Sequence, residues 1–199
     1  MKQELIKRLE NCLDKELQSD EMRFSTVFLL DDFSASGISY LREEKLEWKG
    51  KVSKVLNRIV SLSLSEAKLF DLEEITICIV LYVATQKALN YLESIIDDWV
   101  KDHESKIKIQ VLAIQTLGDE IPLNRETEKA VVEIVKRYYN PDIITSSYEK
   151  GDLTEPYLGF DGCALPIILS HNTPNNSLPI LWFSYEKSTG LFPRVSRHT

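Results

Sequence analysis

One stretch constrains this chain more than any other. Val27-Phe-Leu-Leu30 is a run of four apolar residues that stops at Asp31-Asp32 and continues as Phe33-Ser-Ala-Ser-Gly37. A short apolar run bounded in this way predicts a central parallel strand buried on both faces. Two carboxylates and then small residues put polar chemistry at its carboxyl end, where open α/β sheets bind ligands. Backbone N–H groups in such a loop, with a helix N-terminus behind them, suit an anion. Ser34, Ser36 and Ser39 add hydroxyl donors, and Gly37 lets the backbone approach a ligand closely. Acids beside an anion site are compatible if the ligand is a sugar phosphate, with hydroxyls for the acids and a phosphate for the loop.

The rest of the chain agrees with an open sheet. Leu5, Leu9, Leu13 and Leu17 recur every four residues and predict an opening amphipathic helix. After the loop the chain is expected to re-enter helix through Tyr40, Leu41 and Arg42, and a further helix spans Lys51 to Leu62. Ile75 to Tyr82 and Ile107 to Leu117 read as strands. Thr85 to Lys101 and Glu126 to Tyr139 read as helices. This alternation predicts an α/β fold with a mostly parallel sheet flanked by helices. Residues 1–140 form the expected core, with the N-terminal helix. Residues 141–199 hold six of the seven prolines and are expected to form a loop-rich lid on the same domain, with one strand from Ala164 to Leu169.

Composition excludes several classes. A net charge of -7 argues against a broad nucleic-acid-binding face, which needs clustered Lys and Arg. No apolar run is long enough to span a bilayer, and the charged N-terminus lacks a signal core. Cys12, Cys78 and Cys163 are far apart and have no metal-ligand spacing, which suits reduced thiols in a cytoplasmic protein.

Residues 27–39 resemble the phosphoribosyl diphosphate (PRPP) signature of the type I phosphoribosyltransferases. That signature is four apolar residues, two acids, an apolar residue, two variable positions, Thr or Ser, Gly, a variable position, and Thr or Ser. Every position is met. The resemblance implies that Asp31 and Asp32 hold the ribose diol and serve the chemistry. It implies that Ser34, Ala35, Ser36, Gly37 and Ser39 wrap the 5-phosphate. Magnesium would be carried by the ligand, with no direct protein metal site. A receiver domain also ends a strand in two acids, but it lacks this Ser-rich turn and needs a later strand-terminal Asp. A strand-turn-helix without a ligand is the remaining alternative.

Further along, His171 follows an apolar run and stands beside Asn172, Asn175 and Asn176, a polar group suited to a base or phosphate but equally to an Asn/Pro turn. Trp182 reads as a stacking aromatic or as core. Pro174-Asn-Asn-Ser-Leu-Pro-Ile-Leu-Trp182 and Leu191-Phe-Pro-Arg-Val-Ser-Arg197 resemble the tail of a phosphoribosyltransferase-like family from bacterial conflict and anti-phage loci, retron operons among them. That resemblance implies a defence role with a protein partner.

In the classical enzymes a strand and loop upstream of the signature bind pyrophosphate. Here about 25 residues precede the strand, so the expectation is that an N-terminal part of the fold is missing, that a partner supplies it, or that the pyrophosphate site has been lost. Two readings stay open. One is a PRPP- or nucleotide-binding enzyme of the phosphoribosyltransferase type. The other is a non-catalytic nucleotide-sensing or assembly module that docks on a partner protein.

Overall fold

The computed structural model describes residues 2–13, 23–64, 69–103, 106–185 and 189–193. Five strands and five helices follow one another: α1 (Lys2–Leu13), β1 (Thr26–Ser34), β2 (Arg42–Glu44), β3 (Glu47–Lys49), α2 (Lys51–Leu64), β4 (Thr76–Thr85), α3 (Gln86–Asp102), β5 (Lys108–Leu117), α4 (Lys129–Arg137) and α5 (Pro179–Trp182). The long strands form a parallel three-stranded sheet in the order β1-β4-β5, flanked by helices. The expected α/β class is observed. Leu17 of the opening stripe lies outside the described residues.

The strand with the most fully covered face is β4, in the middle of the sheet. Ile77, Ile79 and Leu81 are fully buried, and Cys78, facing the other way, is 7% exposed. Tyr82 on that second face is 58% exposed, so this uncharged, β-branched run fills one face that is fully covered and one that is covered in part. β1 is different and corrects the expectation of a central buried strand. It lies at the edge of the sheet, and Phe28 and Leu30 are 61% and 68% exposed. Its side chains alternate between exposed and half-buried, as the two-residue period of a strand demands.

Two further expectations are corrected. Tyr40 to Arg42 does not begin a helix. Tyr40 and Leu41 are buried, and Arg42 opens an antiparallel hairpin in which it pairs with Lys49. The turn places Lys45 and Leu46 at φ 52° and 64°, the left-handed pair that a two-residue hairpin connection needs. The segment Ala164 to Leu169 is not a strand either. It makes only isolated bridges, Leu165 with Ser177 and Leu169 with Asn172. Ala164 sits at φ 52°, and Pro166 has no N–H to give a ladder. The helix expected from Glu126 is regular from Lys129, because the Asn124 side chain takes the Glu126 and Thr127 N–H groups into a turn of its own.

The chain divides into two compact units. The first comprises Met1–Asp31, Ser39–Val80 and Leu92–Leu112. Its core includes Leu41, Val52, Ile75, Ile77, Ile79 and Leu92, each with no exposed surface. The second comprises Asp32–Ile38, Leu81–Tyr91 and Ala113–Thr199. Among its described residues are apolar clusters around Leu158, around Phe160 with Trp182, and around Ala35 with Cys163 and Leu165. Among the described residues, no helix is long and apolar enough to cross a membrane.

Candidate functional site

In the first unit the acid of interest is Asp31. It belongs to the half-buried set of β1 with Val27 and Leu29. Its Oδ2 accepts from the Tyr40 hydroxyl and from the Lys51 ammonium, and that ammonium also lies 4.7 Å from the centre of the Tyr40 ring. Gly50 makes this arrangement feasible. It sits at φ 118°, and a Cβ there would come within 2.3 Å of the Tyr40 carbonyl oxygen. The close approach lets the Lys51 and Val52 N–H groups donate to the Ser39 and Tyr40 carbonyls, at 3.0 and 2.9 Å. The first donors of α2 are therefore engaged by backbone, and this helix end does not present them to an anion.

In the second unit Asp32 lies beside His171. Their side chains are 46% and 47% exposed, with Nε2 of His171 2.5 Å from Oδ2 of Asp32. His171 stands at the tip of a tight turn closed by two backbone hydrogen bonds between Leu169 and Asn172, at 3.0 and 3.2 Å. The turn presents the imidazole outward, and Asn172 contributes to it through backbone.

The loop itself is held inward. Ser34, Ala35 and Ser36 are 5%, 2% and 6% exposed, and Gly37 takes φ 76°, a conformation suited to glycine. The Ala35 carbonyl accepts from the Thr85 hydroxyl at 2.6 Å, and the Ala35 methyl packs on Cys163 and Leu165. Ser39, in the first unit, is exposed.

Of the five C-terminal candidates, His171 is the one whose side chain is seen against an acid of the motif among the described residues. The Asn175 carbonyl accepts from the Phe160 N–H at 2.8 Å. The Asn176 amide donates to the Phe160 carbonyl at 3.3 Å and to Cys163 Sγ at 3.4 Å. Trp182 is buried, and its indole N–H donates to the Ser177 carbonyl at 3.0 Å. The three bonds made by Asn175 and Asn176 hold a strained segment in place. Gly159, Asp161, Gly162 and Ala164 all have positive φ. The Asp161 carboxylate is paired with Lys87 at 2.6 Å and accepts from the Asp152 N–H at 2.9 Å. Burial pushes the Cys163 thiol up to about 11, so it stays protonated and is no nucleophile at neutral pH. Arg194 and Arg197 of the closing segment lie outside the described residues.

Three residues here carried little advance signal. Thr85, directly ahead of a helix, had the sequence mark of a cap. Tyr40 and Lys51 had none, because their meeting with Asp31 depends on the hairpin between them.

Among the described residues, no three His, Cys, Asp or Glu side chains converge as a metal cage. The donors at hand are single carboxylates, which suit a magnesium ion brought in on phosphate oxygens, since that ion usually binds through one or two carboxylates plus substrate.

A parallel α/β sheet whose first strand carries an acid pair into a Ser-rich loop is consistent with a phosphoribosyltransferase-like fold. A family model described as PRTase-CE matches residues 1–194, and the chain belongs to that family. Comparison with curated proteins gives no match, and comparison with solved structures gives none either.

Proposed function

We propose that this phosphoribosyltransferase-like protein binds PRPP or a nucleoside monophosphate through Asp31 to Ser39, as a cytoplasmic component of a bacterial defence system. The observation that carries the reading is the Asp32–His171 pair, exposed in the same unit as a loop of small, donor-rich residues. Asp32 is suited to accept from ribose hydroxyls, and His171 can donate to the same sugar or to a phosphate oxygen. N–H groups of the loop would hold the 5-phosphate. Consecutive strand residues face opposite ways, so one sugar meets Asp32 directly while Asp31 supports the strand end through Tyr40 and Lys51. Magnesium, carried by the ligand, would offset phosphate charge. Family membership supports the class of ligand, and the similarity of the Pro174–Trp182 element to anti-phage relatives supports the setting.

Isothermal titration with PRPP, ribose 5-phosphate and AMP, each with and without magnesium, tests the binding. Saturation that Asp32→Asn removes is the expected result; equal binding by the variant sinks the proposal. For the setting, the locus carrying Asp32→Asn should lose protection in a phage plaque assay.

A second reading, a nucleotide-sensing or assembly module without turnover, is favoured by one observation. The Asp31 carboxylate is engaged by Tyr40 and Lys51, and Ser34 and Ser36 are buried. Ligand binding without release of pyrophosphate from PRPP would select it, and a co-purifying partner protein would support it further.

A further inference from the structure

We infer that Thr85 is a positioning residue that sets the direction of the phosphate-binding peptide at Ala35–Ser36. The inference rests on the ribose-phosphate reading and names a residue outside the motif as a determinant of phosphate affinity. β4 runs directly into α3 at Thr85, with no connecting residue between strand and helix. The side chain is 5% exposed, so a hydroxyl here must be satisfied internally. It is satisfied twice. Its oxygen accepts from the Ala88 N–H at 3.0 Å, capping the 17-residue helix α3, and its hydrogen is donated to the Ala35 carbonyl at 2.6 Å.

The second bond has a geometric consequence. In a planar trans peptide the C=O and the following N–H point in opposite directions. Fixing the Ala35 carbonyl on Thr85 therefore turns the Ser36 N–H away from α3. Without the Thr85 donor that buried carbonyl would lose its partner, and the peptide could rotate to find another. Ala35 is also held from its side-chain face by Cys163 and Leu165, so rotation of this one peptide leaves the loop's apolar anchor in place. The hydroxyl thus acts on which way a donor points, not on whether the loop is folded.

Three variants separate the two bonds. Thr85→Ser keeps both. Thr85→Asp keeps a cap acceptor for Ala88 N–H but has no donor for the Ala35 carbonyl. Thr85→Val loses both. The measurements are ribose 5-phosphate affinity by titration, the chemical shift of the bound ligand in phosphorus NMR, and the thermal midpoint of each protein. The expected result is wild-type affinity for Thr85→Ser, with affinity about tenfold weaker or worse for Thr85→Asp and Thr85→Val. The bound phosphorus shift should also move in any variant that still binds. A purely structural role would lower the midpoint and leave affinity and shift of the folded fraction unchanged, which overturns the inference. If Thr85→Asp does not fold, Thr85→Val against Thr85→Ser decides alone. Absence of binding by the wild-type protein removes the ribose-phosphate reading itself, whereas wild-type binding matched by Thr85→Val removes only this inference.

Discussion

Asp32 and His171, 139 positions apart in the chain, meet with 2.5 Å between carboxylate oxygen and imidazole nitrogen. Both side chains are nearly half exposed, so the pair contributes little to stability, about 1 kcal/mol at most. A contact that folding does not need is a candidate for use in binding. Asp32→Asn and His171→Asn should each leave the urea midpoint nearly unchanged and each weaken ribose 5-phosphate binding. The double variant should bind no worse than the weaker single, because the two side chains act on one ligand. Full additivity of the two losses would show that they contact the ligand independently.

Asp31 should behave in the opposite way. Its carboxylate is half-buried and accepts from both the Tyr40 hydroxyl and Lys51. Charge-assisted hydrogen bonds to a partly buried group are worth about 1.5–3 kcal/mol. Chemical denaturation should therefore find Asp31→Asn less stable than wild type by about 1–3 kcal/mol. A cost equal to that of Asp32→Asn would mean that Tyr40 and Lys51 do not hold Asp31 in solution.

Gly159 tests the backbone of the second unit. It takes φ 93°, and a Cβ would lie 2.5 Å from the Asn176 carbonyl oxygen and 2.7 Å from that of Ser177. Backbone cannot yield as a side-chain end can, so Gly159→Ala should cost about 3 kcal/mol or more. Gly118 is the control, since the three atoms nearest to its Cβ all belong to the carboxylate end of the Glu120 side chain. Gly118→Ala should stay within about 1 kcal/mol of wild type in the same melt.

The exposed side of β1 makes a further test. Leu30 is 68% exposed, whereas Ile79 of β4 is fully buried. Leu30→Gln should move stability by no more than about 0.5 kcal/mol, while Ile79→Ala should cost about 2–5 kcal/mol. A large loss at Leu30 in solution would mean that something covers this strand.

What the sequence made legible follows from range. The strands β4 and β5 and the helix α3 each declare themselves within a dozen residues, by apolar runs and by a 3.6-residue period; β5 and α3 lie within one residue of their expected ends, whereas β4 runs three residues past Tyr82. The acid pair and its Ser-rich loop are equally local. The β2–β3 hairpin was not legible, because its turn puts Lys45 and Leu46 in a left-handed conformation that neither residue advertises. Nor was the edge position of β1, since an apolar run of four reads the same whether one face or both are covered. Ala164 to Leu169 looked like a strand on composition, and a positive φ at Ala164 with a proline two residues on undid it. His171 was singled out for its polar neighbours, but nothing in the local sequence could give its distance to Asp32.

Titration of Cys163 supplies the last test, and its sign can be worked out. Burial raises the thiol from the ordinary 9.0 to about 11 in the folded protein. The folded state then holds this proton more tightly than the unfolded state does. Its contribution to stability is complete below about pH 9 and is lost as pH rises through 11. Two units correspond to about 3 kcal/mol in order of magnitude, since one unit is worth roughly 1.4 kcal/mol. Urea midpoints measured at pH 8, 9.5 and 10.5 should therefore fall more steeply for wild type than for Cys163→Ala. The variant pays a constant cavity cost at every pH but has no thiol to ionise, so the slope, not the offset, carries the information. Parallel slopes would mean that the thiol titrates normally. In that case the native protein should also react with iodoacetamide at pH 8, which a buried, protonated Cys163 resists until the chain unfolds.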